Sequence, residues 1–81
     1  MLIEVCGPGC PRCQATEKNA LEAVKQVGLE KDAQVVEIKD PKEMGQRGVF
    51  ITPAVIIDGE KVCEGKIPSA QELRKWIEER K

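Results

Sequence analysis

Cys10-Pro11-Arg12-Cys13 stands between an apolar opening stretch, Met1 to Val5, and a helical pattern that begins at once after it, and no other feature constrains the chain as much. Two cysteines three residues apart at a strand-to-helix junction share one face of the first helical turn, which is what reversible disulfide chemistry requires. The unpaired N–H groups and positive dipole end of such a helix stabilise a thiolate at Cys10, and Arg12 adds a full positive charge beside it. Pro11 suits the first helical position, where no N–H donor is needed and the ring fixes a compatible φ.

With 81 residues, 41% of them hydrophobic, the chain can bury one small core, so a single domain over residues 1–81 is expected and an elaborate substrate pocket is not. Function must reside in a short motif. The 13 basic and 14 acidic residues are dispersed and leave a net charge of -1, no electrostatic footprint for nucleic acid or a membrane surface. One Trp and one Phe offer no stacking platform for bases. Met1-Leu2-Ile3-Glu4 reaches charge at the fourth residue without a basic leader or a long apolar run, so a mature, cytoplasmic, monomeric protein is expected. Cys6, Cys10 and Cys13 crowd together near the N-terminus with Cys63 far away, an arrangement that would staple almost nothing. The cysteine cluster reads as chemical rather than architectural.

Met1 to Val5 alternates Ile3 and Val5 with Leu2 and Glu4 and stops at Gly7-Pro8-Gly9, which predicts a first strand. From Arg12, Thr16, Ala20, Ala23, Val24 and Val27 recur with helical spacing up to Gly28. A second strand is expected over Gln34 to Lys39. A short helix follows it, opened by Asp40-Pro41-Lys42-Glu43 as a capping pair and limited by Gly45 and Gly48. Ala54 to Ile57, the Asp58-Gly59 turn and Lys61 to Glu64 predict a hairpin. Ser69 with Glu72 caps a last helix whose buried stripe is Leu73, Trp76 and Ile77. The order β-α-β-α-β-β-α gives an α/β fold: two parallel strands joined by a crossover, a hairpin adding two antiparallel strands, and helices covering the four-stranded mixed sheet. Chemistry in such sheets gathers at the carboxyl ends of the parallel strands, where the cysteine loop lies.

The cysteine pair, the strand order, Thr52-Pro53 opening the third strand and the Asp-Gly hairpin after it together resemble the thioredoxin superfamily, in particular its minimal redox-active disulfide proteins of glutaredoxin-like size. The likeness extends over nearly the whole chain. It implies a thioredoxin-like fold and a cis bond before Pro53, which would lie against the cysteine pair; at an X-Pro bond the cis form costs only about 1 kcal/mol. Lacking an N–H, Pro53 would leave room there for a partner sulfur, and the backbone of Thr52 would pair with an extended substrate segment as an added strand. The alternative is that Thr52-Pro53 merely begins a sheet edge. Two departures narrow the substrate. Pro11-Arg12 replaces the Gly-Pro of typical thioredoxins, so both residues are expected to bear on substrate binding. The diglycine-and-acid glutathione signature is missing where Gly65-Lys66-Ile67-Pro68-Ser69 stands, so disulfide-bearing proteins are expected as substrates rather than glutathione.

The resemblance makes Cys10, at the helix start, the nucleophile and Cys13, one turn in, the resolving thiol, with no cofactor and no metal. A thioredoxin-reductase-like protein or another thiol would supply electrons. The chain contains no histidine. Glu4, six residues before Cys10 where typical thioredoxins carry a buried acid, is therefore the candidate proton acceptor, its pKa raised by burial. If the strand end is wet, Glu4 is simply solvated. Lys39 is a second group that could tune the site. Cys6, on the same strand face as Glu4, is expected as an auxiliary thiol or, better, as a small buried hydrophobe. Cys6 and Cys63, two strand spacings or roughly 9–10 Å apart, should not form a disulfide.

Two other function classes compete. Cys6, Cys10 and Cys13 also spell the spacing of radical iron–sulfur enzymes, and with Cys63 they would make four thiolates for zinc or a small cluster. The chain is too short for the barrel those enzymes need, and Cys63 belongs to a hairpin strand. The other class is an interaction domain that keeps the fold with an idle dithiol.

Overall fold

The computed structural model describes residues 1–9 and 11–80. The elements run β1 (Leu2–Cys6), α1 (Pro11–Gln26), β2 (Gln34–Ile38), α2 (Pro41–Gln46), β3 (Ala54–Ile57), β4 (Glu60–Glu64) and α3 (Ala70–Glu79). The sheet order is β2-β1-β3-β4. β1 pairs in parallel with β2, from Leu2 opposite Gln34 to Cys6 opposite Ile38, and antiparallel with β3, with Glu4 opposite Ile56. β1 is thus a central strand. This is the α/β architecture, a four-stranded mixed sheet with flanking helices, that the residue pattern predicts.

Period-two alternation divides the core between the two faces of the sheet. Ile3, Val5, Val55, Ile57 and Cys63 pack with Ala20, Ala23 and Val24 of α1 and Leu73 and Ile77 of α3. Cys6, Ala54 and Ile56 pack on the other face with Met44 of α2 and Val49. Trp76 is half-buried against the larger cluster, with Lys66 Nζ 5.8 Å from its ring centroid. In the hairpin, Asp58 (φ 49°) and Gly59 (φ 86°) both take the left-handed conformation that a tight two-residue turn demands. The turn is tied to β1 twice, by Leu2 N donating to Asp58 Oδ1 at 2.7 Å and Asp58 N donating to Leu2 O at 2.8 Å. At α3, Ser69 and Glu72 form a reciprocal capping box.

The short helix α2 opens at Asp40 as expected, and only its end departs from expectation. Its N-cap, Asp40, accepts from Lys42 N at 2.9 Å. Gly45 lies inside the helix rather than at its limit; the stop is Gly48 alone, at φ 72°. Gly48 N donates to Gly45 O and Val49 N to Met44 O, the paired bonds of a glycine-terminated helix end, and Met44 packs with Val49 across it. This geometry fixes Arg47 as the C-cap residue, beside β1.

Candidate functional site

Cys10, the expected nucleophile, lies outside the described residues. Pro11 is the first residue of α1 and exposed. Cys13 sits in the first turn of the same helix and is only 5% exposed. The loop that brings β1 to α1 passes so close to it that a side-chain carbon on Gly7 would collide with Cys13 Sγ and would stand 3.8 Å from Thr52 Cβ. Gly7 is therefore the narrow point at which Cys13 and Thr52 converge, and only a residue without Cβ fits. Gly7 N is held by Ile38 O at 2.9 Å, so the loop cannot simply move aside.

Thr52 precedes a cis peptide bond to Pro53, whose ring is fully buried. Among the described residues, none hydrogen-bonds to the backbone N–H or C=O of Thr52. Pro53 O accepts from Gly65 N at 2.9 Å, and Gly65 O accepts from Arg12 Nη2 at 3.2 Å. Gly65 (φ 80°) thus links the guanidinium of the helix start to the proline segment. Arg12, Cys13, Thr52 and Pro53 are brought to one neighbourhood, with Gly7 and Gly65 as the close-packed spacers.

Glu4 lies on the other face of β1, only 7% exposed although on a charged side chain. Its Oε2 accepts from Arg47 Nε at 2.7 Å. Arg47 also donates through Nη1 to Glu43 O at 3.0 Å, and the bond to Glu4 holds its guanidinium more firmly protonated than usual. The wet-strand alternative for Glu4 does not hold. Lys39 Nζ pairs with Glu37 Oε2 at 3.0 Å, and its chain end passes beside Gly9.

Cys6, fully buried among Met44, Val49, Ala54 and Ile56, has its thiol pushed up to about 11, first by burial and then by the negative charge of Glu4, with Arg47 opposing. A thiol so disposed is a small hydrophobe rather than a nucleophile. Cys63 packs into the other cluster, its thiol also raised by burial. Both are free, and the sheet itself lies between them. One ion with sulfur bonds of about 2.3 Å cannot be reached from both faces, which argues against the four-thiolate set. Among the described residues, no three His, Cys, Asp or Glu are gathered to hold a metal ion. Likewise, no helix there is long and apolar enough to cross a membrane.

Three participants escaped the sequence reading. Arg47 answers the general demand that a buried acid find a cation, but sequence alone does not choose it from the other basic residues. Gly7 had a signal in the dense Gly7-Pro8-Gly9 run. Glu64, whose carboxylate receives the N–H groups of Phe50 and Ile51, had none.

The thioredoxin domain family matches residues 1–78. A thioredoxin of Methanocaldococcus jannaschii is 40% identical over 77 residues, which cover 95% of this chain and 86% of the relative. A thioredoxin of Methanothermobacter thermautotrophicus is 39% identical over 77 residues, covering 95% of this chain and 97% of the relative. The general activity of these proteins is thiol–disulfide exchange. Sheet order, the cis bond before a buried proline beside a helix-start cysteine, and likeness along almost the entire length all point the same way: the chain belongs to the thioredoxin family.

Proposed function

We propose that this protein reduces disulfides of partner proteins through a Cys10–Cys13 dithiol. The observation that supports this most is the convergence of Cys13 and Thr52 across Gly7, next to a Thr52 backbone left open for pairing. Cys10 directly precedes Pro11, the residue that opens α1. As a thiolate, Cys10 attacks one sulfur of the partner disulfide: a Cys10–partner bond forms, the partner's own bond breaks, and the departing thiolate takes a proton. Cys13 then gives up its proton and attacks the Cys10 sulfur. The Cys10–Cys13 bond closes, the second partner sulfur leaves as a thiolate and takes up the proton that Cys13 released, and the partner has gained two electrons and two protons, the first proton coming from solvent. A thioredoxin-reductase-like protein or another thiol donor restores the dithiol.

Glu4 serves as the proton acceptor for Cys13 in this scheme, supported by its burial and by the lack of any histidine; its carboxylate is held by Arg47 on the α2 side of the sheet, so the proton passes to it around the end of β1. Pro53 keeps the approach to the sulfurs open, Thr52 pairs with the partner's extended segment, and Pro11 and Arg12 border it. A reducing compartment such as the cytoplasm is where a protein of this kind works as a reductant.

The test is a trapping experiment with a protein disulfide such as insulin. Cys13→Ser should accumulate a mixed disulfide on Cys10, visible on a non-reducing gel, while Cys10→Ser should give none and lose dithiothreitol-driven turnover. Turnover that survives Cys10→Ser would refute the proposal.

A further inference from the structure

Glu64 closes β4, twelve residues beyond Thr52, and its carboxylate is committed to a single task. Oε2 accepts from Phe50 N at 2.6 Å and Ile51 N at 3.1 Å. Oε1 accepts from Lys61 Nζ at 3.0 Å, and the same ammonium donates to Gly48 O at 2.9 Å. The four bonds bind the segment 48–51 to the outer strand of the sheet. Immediately beyond, Gly65 N holds Pro53 O, and a side chain at Gly65 would meet Ile51 Cγ2 at 2.9 Å. Thr52 is thus clamped on both sides while its own backbone stays open.

The side chains of the clamped pair face solvent, Phe50 at 85% exposure and Ile51 at 60%. Val49 anchors the start of the segment in the core, but the side chains of Phe50 and Ile51 add little burial, so Glu64 supplies the order that burial would ordinarily give this pair. Hydrogen bonds to a charged acceptor are the stronger kind, and fixing backbone before association removes an ordering cost from binding.

We propose that Glu64 is a positioning residue for thiol–disulfide exchange with protein substrates: it holds Phe50 and Ile51 so that the Thr52 edge meets an extended, apolar-flanked segment of the partner already in place. The proposal rests on the reading that the chain reduces protein disulfides at Cys10–Cys13. A small disulfide has no extended segment to pair, so it needs the sulfurs but not the clamp. Lys61, which bridges Glu64 and Gly48, acts in the same direction with fewer bonds.

The experiment compares insulin with bis(2-hydroxyethyl) disulfide as substrates for wild type, Glu64→Gln, Glu64→Ala and Lys61→Met, each checked for native circular dichroism. Glu64→Ala should raise KM for insulin roughly tenfold with kcat held, Glu64→Gln and Lys61→Met less, and the small-disulfide rate should not change in any of them. An unchanged insulin KM overturns the proposal, as does an equal fall in the rates of both substrates, which would make Glu64 a purely structural residue. If wild type reduces neither disulfide, the exchange reading itself fails, and the clamp with it.

Discussion

Arg47 Nε lies 2.7 Å from Glu4 Oε2, so the cap of the short helix α2 is joined by charge to the middle of the central strand β1. The side chain of Glu4 is 9% exposed and that of Arg47 29%, so the acid depends on this partner far more than the base does. Removing one member of a buried pair leaves an uncompensated charge, whereas replacing both with apolar residues is often tolerated. Arg47→Met should therefore lower the urea midpoint, and Glu4→Leu added to it should recover most of the loss. A double mutant no more stable than Arg47→Met would show that the pair is not the source of the effect.

Glu4→Gln separates this structural part from a chemical one. The amide keeps the size and an oxygen for Arg47 but cannot take the Cys13 proton. Attack by Cys10 on insulin should proceed at the wild-type rate while resolution of the mixed disulfide slows by about a hundredfold, the ordinary contribution of a placed base. Rapid quench with alkylation and mass spectrometry measures both steps. Equal slowing of both, or of neither, would remove Glu4 from the proton path.

Legibility in the sequence follows the distance over which each interaction acts. Asp58-Gly59 and the Ser69/Glu72 box are complete within four residues, and the structure forms both as read. The same is true of the face shared by Glu4 and Cys6, because strand alternation needs no knowledge of the partner. Arg47 with Glu4 and Glu64 with Phe50 are pairs formed only when the sheet and α2 assemble, and no local pattern announces them. Gly45 and Gly48 show the limit at short range: both looked like helix stops, but a stop needs the left-handed φ that only Gly48 adopts.

Glu64 gives an acid-side signature. Its carboxyl is pushed from 4.5 down to about 2, first by the Phe50 N–H, then by the Lys61 ammonium and the Ile51 N–H. Because the folded state holds the proton less tightly than the unfolded one, the contribution is complete above about 4.5 and is lost as pH falls through about 2. The stability difference between wild type and Glu64→Gln should thus be constant near neutrality, shrink across that interval and vanish below it. Urea melts at stepped pH values check this; a difference independent of pH would contradict the clamp's ionic character.

Glycine to alanine should act with opposite signs at two positions. At Gly7 the added carbon collides with Cys13 Sγ, and overpacking of this kind costs about 1–3 kcal/mol. At Gly45, inside α2 with open space around it, the same carbon relieves the entropic penalty of glycine in a helix and should stabilise by about 0.5–1 kcal/mol. Gly7→Ala should in addition slow turnover, since it displaces Cys13 from Thr52. Midpoints of urea denaturation and insulin reduction rates decide the matter, and a stable, fully active Gly7→Ala would mean that the loop relaxes without cost.

Cys6 produces the alkaline counterpart. Burial, reinforced by Glu4, raises its thiol from 9.0 to about 11. Between those values the unfolded chain ionises this thiol while the folded protein keeps its proton, so the folded state binds more protons and stability falls as pH rises. The effect is absent below about 9 and fully developed above about 11. Lys66, held protonated by Glu72, contributes to the upper part of the same limb, so the informative quantity is the difference from Cys6→Ala, in which only the thiol is gone. Wild type should lose stability relative to Cys6→Ala across this range. In parallel, iodoacetamide at pH 8 should leave Cys6 unlabelled in the folded protein and modify it once urea unfolds the chain. Prompt native labelling of Cys6, or an alkaline limb identical in both proteins, would return this thiol to the list of reactive groups beneath the helix.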